Sequence, residues 1–250
     1  MRTGQQRMLA DLRHRIDRLE HGHRRRAALP FGIEPVDGHL PGGGLALGAL
    51  HEWIEAGPAA EFAGAATLFV AGVAARLNGT VLWCLNRRDL FAPGLMRAGL
   101  HPDRVIYAET FRERDVLAAM EEGLHEKGLA AVIGEVTRLG LTASRRLQLA
   151  AEASGVPAFV LRRWWNVAEK ELASLPSAAM TRWRISPHSS LAPPAPGLGR
   201  ARWHVELLRC RGGEPHSWIL EACDEKGRLA LPSDVADRPD QTPARRAAAG

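Results

Sequence analysis

Apolar positions along the chain follow two periods, and the two alternate. Near the start, Leu9, Leu12, Ile16 and Leu19 recur at spacings of three and four, which puts them on one face of a helix over residues 6–21. Arg7, Arg13, Arg15 and Arg18 fall on the other face. Such a helix either lies on its own domain or packs on a partner. The run His21-Gly22-His23-Arg24-Arg25-Arg26 ends the pattern and reads as a basic linker. Farther on, strand patterns at 45–54, 80–85, 105–107, 129–136 and 157–161 alternate with helix patterns at 61–77, 93–99, 112–127 and 142–154. The strand runs 130–133 and 158–161 are continuously apolar, as a sheet covered on both faces requires. This alternation predicts an α/β fold with a doubly wound, mostly parallel sheet.

The character changes after residue 162. Residues 180–186, 201–211 and 217–222 read as antiparallel strands, with Gly212-Gly213 placed as a hairpin turn. Residues 187–199 hold four prolines and little that could form a core. Residues 232–250 have no periodicity and are expected to be a disordered tail. The expected organisation is a basic N-terminal helix and linker (1–30), an α/β core (31–186), a small C-terminal β extension (187–231) and the tail (232–250).

Composition narrows the class. The chain is 46% hydrophobic and 24% charged, a globular mix that excludes a mainly disordered, collagen-like or disulfide-scaffold protein. No apolar run approaches the roughly 20 residues of a membrane helix. The first 30 residues lack the apolar stretch of a signal peptide. Three cysteines, Cys84, Cys210 and Cys223, lie far apart, which fits a reducing cytoplasm. The net charge is +5, and only three of the 33 basic residues are lysines. Arginine forks suit phosphates or carboxylates. The first lysine is Lys127, and that bears on nucleotide chemistry.

In an α/β nucleotide hydrolase, the first strand runs through a glycine-rich loop into a helix. Loop N–H groups cradle phosphate, a lysine neutralises it, and a Ser or Thr hydroxyl holds magnesium. Here the strand ending at Ile54-Glu55 leads to Gly57 and Gly64, which six residues separate instead of four. Ala65 and Ala66 stand in the places of the lysine and the hydroxyl residue, and Thr67 follows. Glu61 puts negative charge where an anion would dock.

Residues 31–68 resemble the opening of the RecA recombinase core. More narrowly, the chain resembles the ImuA family of RecA-like damage-inducible mutagenesis proteins. The resemblance rests on Phe31-Gly32-Ile33-Glu34-Pro35-Val36-Asp37, Leu40-Pro41-Gly42-Gly43-Gly44-Leu45, His51-Glu52-Trp53, the stretch AAMTRWRIS over 178–186, and Arg202-Trp203-His204-Val205-Glu206-Leu207. It implies a RecA-like core and an accessory role in damage-induced translesion synthesis. In that core Asn86 falls near the place of the glutamate that orients the attacking water, and Asn cannot act as a base. Gly134 falls at the magnesium-supporting aspartate, with Glu135 one residue on, a shift that turns a strand side chain to the opposite face. The implied partners are an ImuB-type adaptor, an error-prone DnaE-type polymerase and RecA. With lysine, hydroxyl, base and acid missing or displaced, a pseudo-ATPase without a cofactor is expected. Two other readings stay open: a SulA-like division inhibitor that binds FtsZ, and a DNA-binding RecA-like recombination ATPase.

Arg162-Arg163-Trp164-Trp165 follows a buried strand, where doubly wound folds place their sites. The set could grip single-stranded DNA, or it could be an exposed arginine pair beside packed indoles. Arg182 and Arg184 alternate around Trp183, and Arg202 precedes Trp203, so each strand predicts buried indoles and solvated arginines. The arginine face is a candidate surface for DNA or an acidic partner. The pairs His204/Cys210 and His216/Cys223 lack zinc-ligand spacing, and Ser154-Gly155 is a helix exit rather than a nucleophile elbow, so no metal or nucleophilic site is expected.

Overall fold

A computed structural model describes residues 27–164, 175–190 and 199–232. The helix expected at 6–21, Trp165 and the tail from 233 onward lie outside them. The short strands β1 (Ala28–Leu29) and β2 (Leu45–Ala46) pair antiparallel, with the short helix α1 (Glu34–Asp37) between them. β3 (Leu50–Glu55) then begins the main sheet. The single strand expected over 45–54 is thus two. Gly48 makes the break: its φ is 61°, and an added Cβ would lie 3.0 Å from the Gly155 backbone.

The rest follows the sequence pattern closely: α2 (Ala59–Ala75), β4 (Thr80–Leu85), α3 (Ala92–Arg97), a 3₁₀ turn (Pro102–Arg104), β5 (Val105–Glu109) and α4 (Glu113–His125). After these come β6 (Leu129–Val136), α5 (Leu141–Ser154), β7 (Ala158–Arg162), β8 (Thr181–His188), β9 (Arg202–Cys210) and β10 (His216–Glu221).

One eight-stranded sheet results, in the order β10-β9-β8-β3-β7-β6-β4-β5. β3 sits between β7 and β8 and runs parallel to both. β8, expected antiparallel, is antiparallel only toward β9. A central strand that feeds a buried helix and is flanked by later parallel strands is a RecA-like α/β arrangement, here lengthened by antiparallel strands.

α2 covers one face. Its Ala66, Phe69 and Val70 are buried with Trp53, Trp83, Trp183 and Phe159 in one cluster. A helix apolar nearly all round belongs in a core, and α2 is one. The β9–β10 hairpin shares that core: the Trp203 ring lies 5.9 Å from Phe69, and Trp218 lies 6.2 Å from Trp183. On the opposite face, Val132, Val160 and Leu50 pack with Met120 and Leu124 of α4 and Leu147 of α5. Among the described residues no helix is long and apolar enough to cross a membrane.

Candidate functional site

The region where a nucleotide would be cradled is occupied by the protein itself. α2 begins at Ala59, directly after Pro58, so the residues expected to form the glycine-rich loop are already helical. Gly57 is fixed by packing: a Cβ there would lie 2.4 Å from the Phe62 ring. Gly64 sits inside the helix with open space around it. Ala65 and Ala66 are buried in the core. Donors at the helix start are in use: Ala59 N–H donates to Trp164 O, while Glu61 and Phe62 N–H donate to Pro58 O. Glu61 is exposed in the first turn and opposes an anion there.

A buried ion cluster fills the space behind this turn. Arg163, 5% exposed, donates from Nη1 to Glu55 Oε1 at 2.8 Å and to Thr67 Oγ1 at 2.9 Å. Its Nε and Nη2 both reach Glu135 Oε2 at 2.8 Å. Trp83 Nε1 donates to Glu135 Oε1, and Trp164 N–H donates to Glu55 Oε2, each at 2.8 Å. Every oxygen of both carboxylates therefore has a donor. Burial works against the Arg163 charge, but Glu135 and Glu55 outweigh it and hold its pKa above the ordinary arginine value. Burial pushes the Glu135 carboxyl above its ordinary value, against the pull of Arg163. One guanidinium shared by two carboxylates leaves the cluster short of positive charge.

The register around Glu135 differs from the sequence expectation. Gly134 faces α4, where a Cβ would lie 2.1 Å from Met120 Sδ. Glu135, one residue on, faces Thr67 and α2. An acidic side chain does point toward the place of the loop, but Arg163 and Trp83 engage it. Asn86 is exposed and lines a cleft of about 140 Å³ with Arg87, Glu113, Thr137 and the edges of Glu135 and Arg163. Ligand sites usually need roughly 300–1,000 Å³. A hollow of about 350 Å³ at the ends of β4 and β5 is lined by Arg88, Glu109 and Phe111, with no residue of α2.

The expectation of exposed arginines is corrected on both strands. Arg162 is fully buried, and its Nη1 donates to Glu52 Oε2 at 3.3 Å. Arg182, expected to be solvated, is buried too. It reaches Glu52 from Nε at 3.2 Å and Ser177 Oγ from Nη2 at 3.0 Å. The period-two reading failed at Arg182 because the 175–177 stretch lies over that end of β8 and accepts from its guanidinium through Leu175 O and Ser177 Oγ. Arg184 is partly exposed and forks onto Glu206 at 2.6 and 2.7 Å. Arg202 is partly exposed, with Nη1 on Ser189 O at 3.4 Å. Trp164 is partly exposed. The acidic partners Glu52 and Glu55 went unread in the sequence. Two glutamates in a strand, Leu50–Glu55, whose other residues are Leu, His, Trp and Ile were the available signal. Among the described residues no group of three or more His, Cys, Asp or Glu could hold a metal ion.

No protein-family model matches the chain. Protein ImuA of two Caulobacter vibrioides strains is 43% identical to it over 221 residues, covering 84% of this chain and 90% of that protein. The chain belongs to the ImuA family. The blocks that carried the resemblance now have structural roles in this family member. The Asp37 carboxylate accepts the N–H groups of Phe31, Gly32 and Ile33 at 2.6, 2.8 and 3.2 Å, which ties the first block into a closed turn. An added Cβ at Gly44 would lie 2.5 Å from Leu29 O, so the glycine run lets β1 and β2 meet. Trp183 Nε1 donates to Thr181 Oγ1, which lies 2.7 Å from His51 Nδ1, and His51 Nε2 faces Ala46 O at 2.8 Å. The Thr181 hydroxyl donating to Nδ1 and Nε2–H donating to Ala46 O satisfies the whole chain with a neutral imidazole.

Proposed function

We propose that this protein is a non-catalytic accessory factor of damage-induced mutagenic translesion DNA synthesis. It works by contacts with an ImuB-type adaptor, an error-prone DnaE-type polymerase and RecA. Family membership supports the process. One observation carries the non-catalytic part: Arg163 bridges Glu55, Thr67 and Glu135 where a phosphate, its lysine and its magnesium would have to fit. Phosphoryl transfer depends on positioned charge, and here that charge is spent inside the protein. Contact with protein is favoured over contact with single-stranded DNA, because Arg162, Arg163 and Arg182 are consumed by carboxylates.

The catalytic half is tested by turnover of ATP with Mg²⁺ and single-stranded DNA, where no hydrolysis above background is expected. Steady hydrolysis that Glu135→Gln removes would overturn it. The biological half is tested by deleting the gene and measuring damage-induced mutation frequency. A drop to the uninduced level, restored by the wild-type chain, is expected. Unchanged mutation frequency with filamentous growth on overexpression would favour the division-inhibitor reading.

A further inference from the structure

The sheet ends differently at its two edges. Beyond β10, Ala230 bridges to Glu221 and begins to cover the strand. Beyond β5, no strand among the described residues pairs. The same edge carries exposed apolar side chains. Of the seven large ones that stand exposed among the described residues, Ile106 and Tyr107 lie on β5 and Phe111 lies two residues beyond it. Ile106 is 55% exposed and Phe111 is 101% exposed. An open strand edge flanked by apolar side chains is a template for adding another strand.

The occupant follows from the hydrogen-bond parity of β5. Thr110 N–H donates to Leu85 O, and Glu109 stands opposite Leu85. In a parallel pair, alternate residues direct both backbone groups to the neighbour. Even-numbered residues of β5 therefore face β4, while Val105, Tyr107 and Glu109 present N–H and C=O outward. This row is centred on Tyr107 and reads the same from either end. An antiparallel second β5 related by a two-fold axis at Tyr107 would pair Tyr107 with itself and Val105 with Glu109, using all three outward residues of each strand. On one face Ile106 then stands opposite Ala108, a large residue against a small one. The contact is thus complementary in hydrogen bonding and in size. We propose that two copies of this chain associate through antiparallel β5–β5 pairing about Tyr107, joining their sheets into one.

The full-length protein can be tested by sedimentation equilibrium over a micromolar concentration range, together with two variants. The wild type should sediment as a dimer. Tyr107→Pro removes an outward N–H that β4 does not use, and Ile106→Lys charges the covered face. Either should weaken the dimer at least about tenfold, the loss of roughly 1.4 kcal/mol of association energy. Circular dichroism checks that each variant folds, and if Tyr107→Pro does not, Ile106→Lys decides. Tyr107→Cys tests the register. Opposed Cα atoms in a hydrogen-bonded pair lie about 5.5 Å apart, within disulfide reach. It should cross-link to itself on mild oxidation, while Val105→Cys, two residues off the axis, should not. The native thiols are buried or largely so and do not compete. A monomeric wild type, a dimer insensitive to both β5 variants, or equal cross-linking at 105 and 107 would each overturn the proposal.

Discussion

Replacing Arg163 with methionine should reveal how the cluster is held together. The substitution keeps much of the side-chain length and removes the charge. Glu55 and Glu135, 0% and 4% exposed, would then be buried without their shared cation. Removing one partner of a buried ion pair typically costs about 3–5 kcal/mol. A ceiling can also be set, because a stranded carboxyl escapes by taking a proton. At about 1.36 kcal/mol per pKa unit and an unfolded value near 4.3, that escape costs about 3.7 kcal/mol per carboxyl at pH 7. At pH 5 it costs about 1 kcal/mol. The expected loss is therefore about 4–7 kcal/mol at pH 7 and about 1–2 kcal/mol near pH 5. The sign follows from linkage. The stranded carboxyls have folded pKa values above their unfolded ones. The folded variant is then least penalised below the unfolded pKa, and it loses stability as pH rises toward the folded values. Urea denaturation of Arg163→Met and wild type across pH 5–8, read by tryptophan fluorescence, measures this. A loss below about 1 kcal/mol at pH 7, or one equal at pH 5 and 7, would show that Arg163 acts by packing alone.

Three further outcomes are expected. Asp37→Ala leaves the N–H groups of Phe31, Gly32 and Ile33 without their carboxylate and should cost about 1.5–3 kcal/mol in thermal or urea unfolding; a change within 0.5 kcal/mol would remove the turn-closing role of Asp37. Gly57→Ala forces a methyl into the Phe62 ring and should cost about 1–3 kcal/mol, with Gly57→Ala/Phe62→Ala recovering part of it if the clash is the cause. A chain ending at residue 200 loses β9 and β10 with Trp203, Val205, Leu207, Trp218 and Leu220 from the α2 core, and it should lack a cooperative unfolding transition; a sharp transition would mean that the parallel strands hold themselves.

Much of the fold was legible because its signals are local. β4 and β6 begin and end where the apolar runs do, and α4 and α5 lie within two residues of their periodic segments. The orientation of β8 was not legible. A strand in the middle of a mixed sheet has the same internal pattern whichever way its neighbours run. The candidate site was half legible. The absence of a lysine, a hydroxyl residue and an aspartate at their places in the sequence could be read directly. What fills the space could not, because Glu55, Glu135 and Arg163 come from three separate strand ends, and Arg163 is 108 residues from Glu55. Arg162 and Arg182 misled for a physical reason. A buried arginine with an in-plane carboxylate and a solvated arginine look identical in a sequence, and only the glutamate opposite tells them apart.

The position of β3 has a consequence for how the chain acquires its structure during synthesis. Both neighbours of this strand come from far downstream. Glu52 meets Arg162 at a separation of 110 residues and Arg182 at 130. Contacts of such span close slowly, since the intervening chain must be ordered before they form. Until Arg182 leaves the ribosome, the first long strand has one bare side and a glutamate with half its partners. The nascent chain is then exposed to chaperones and proteases for most of its synthesis, and it becomes resistant only once its last third has arrived.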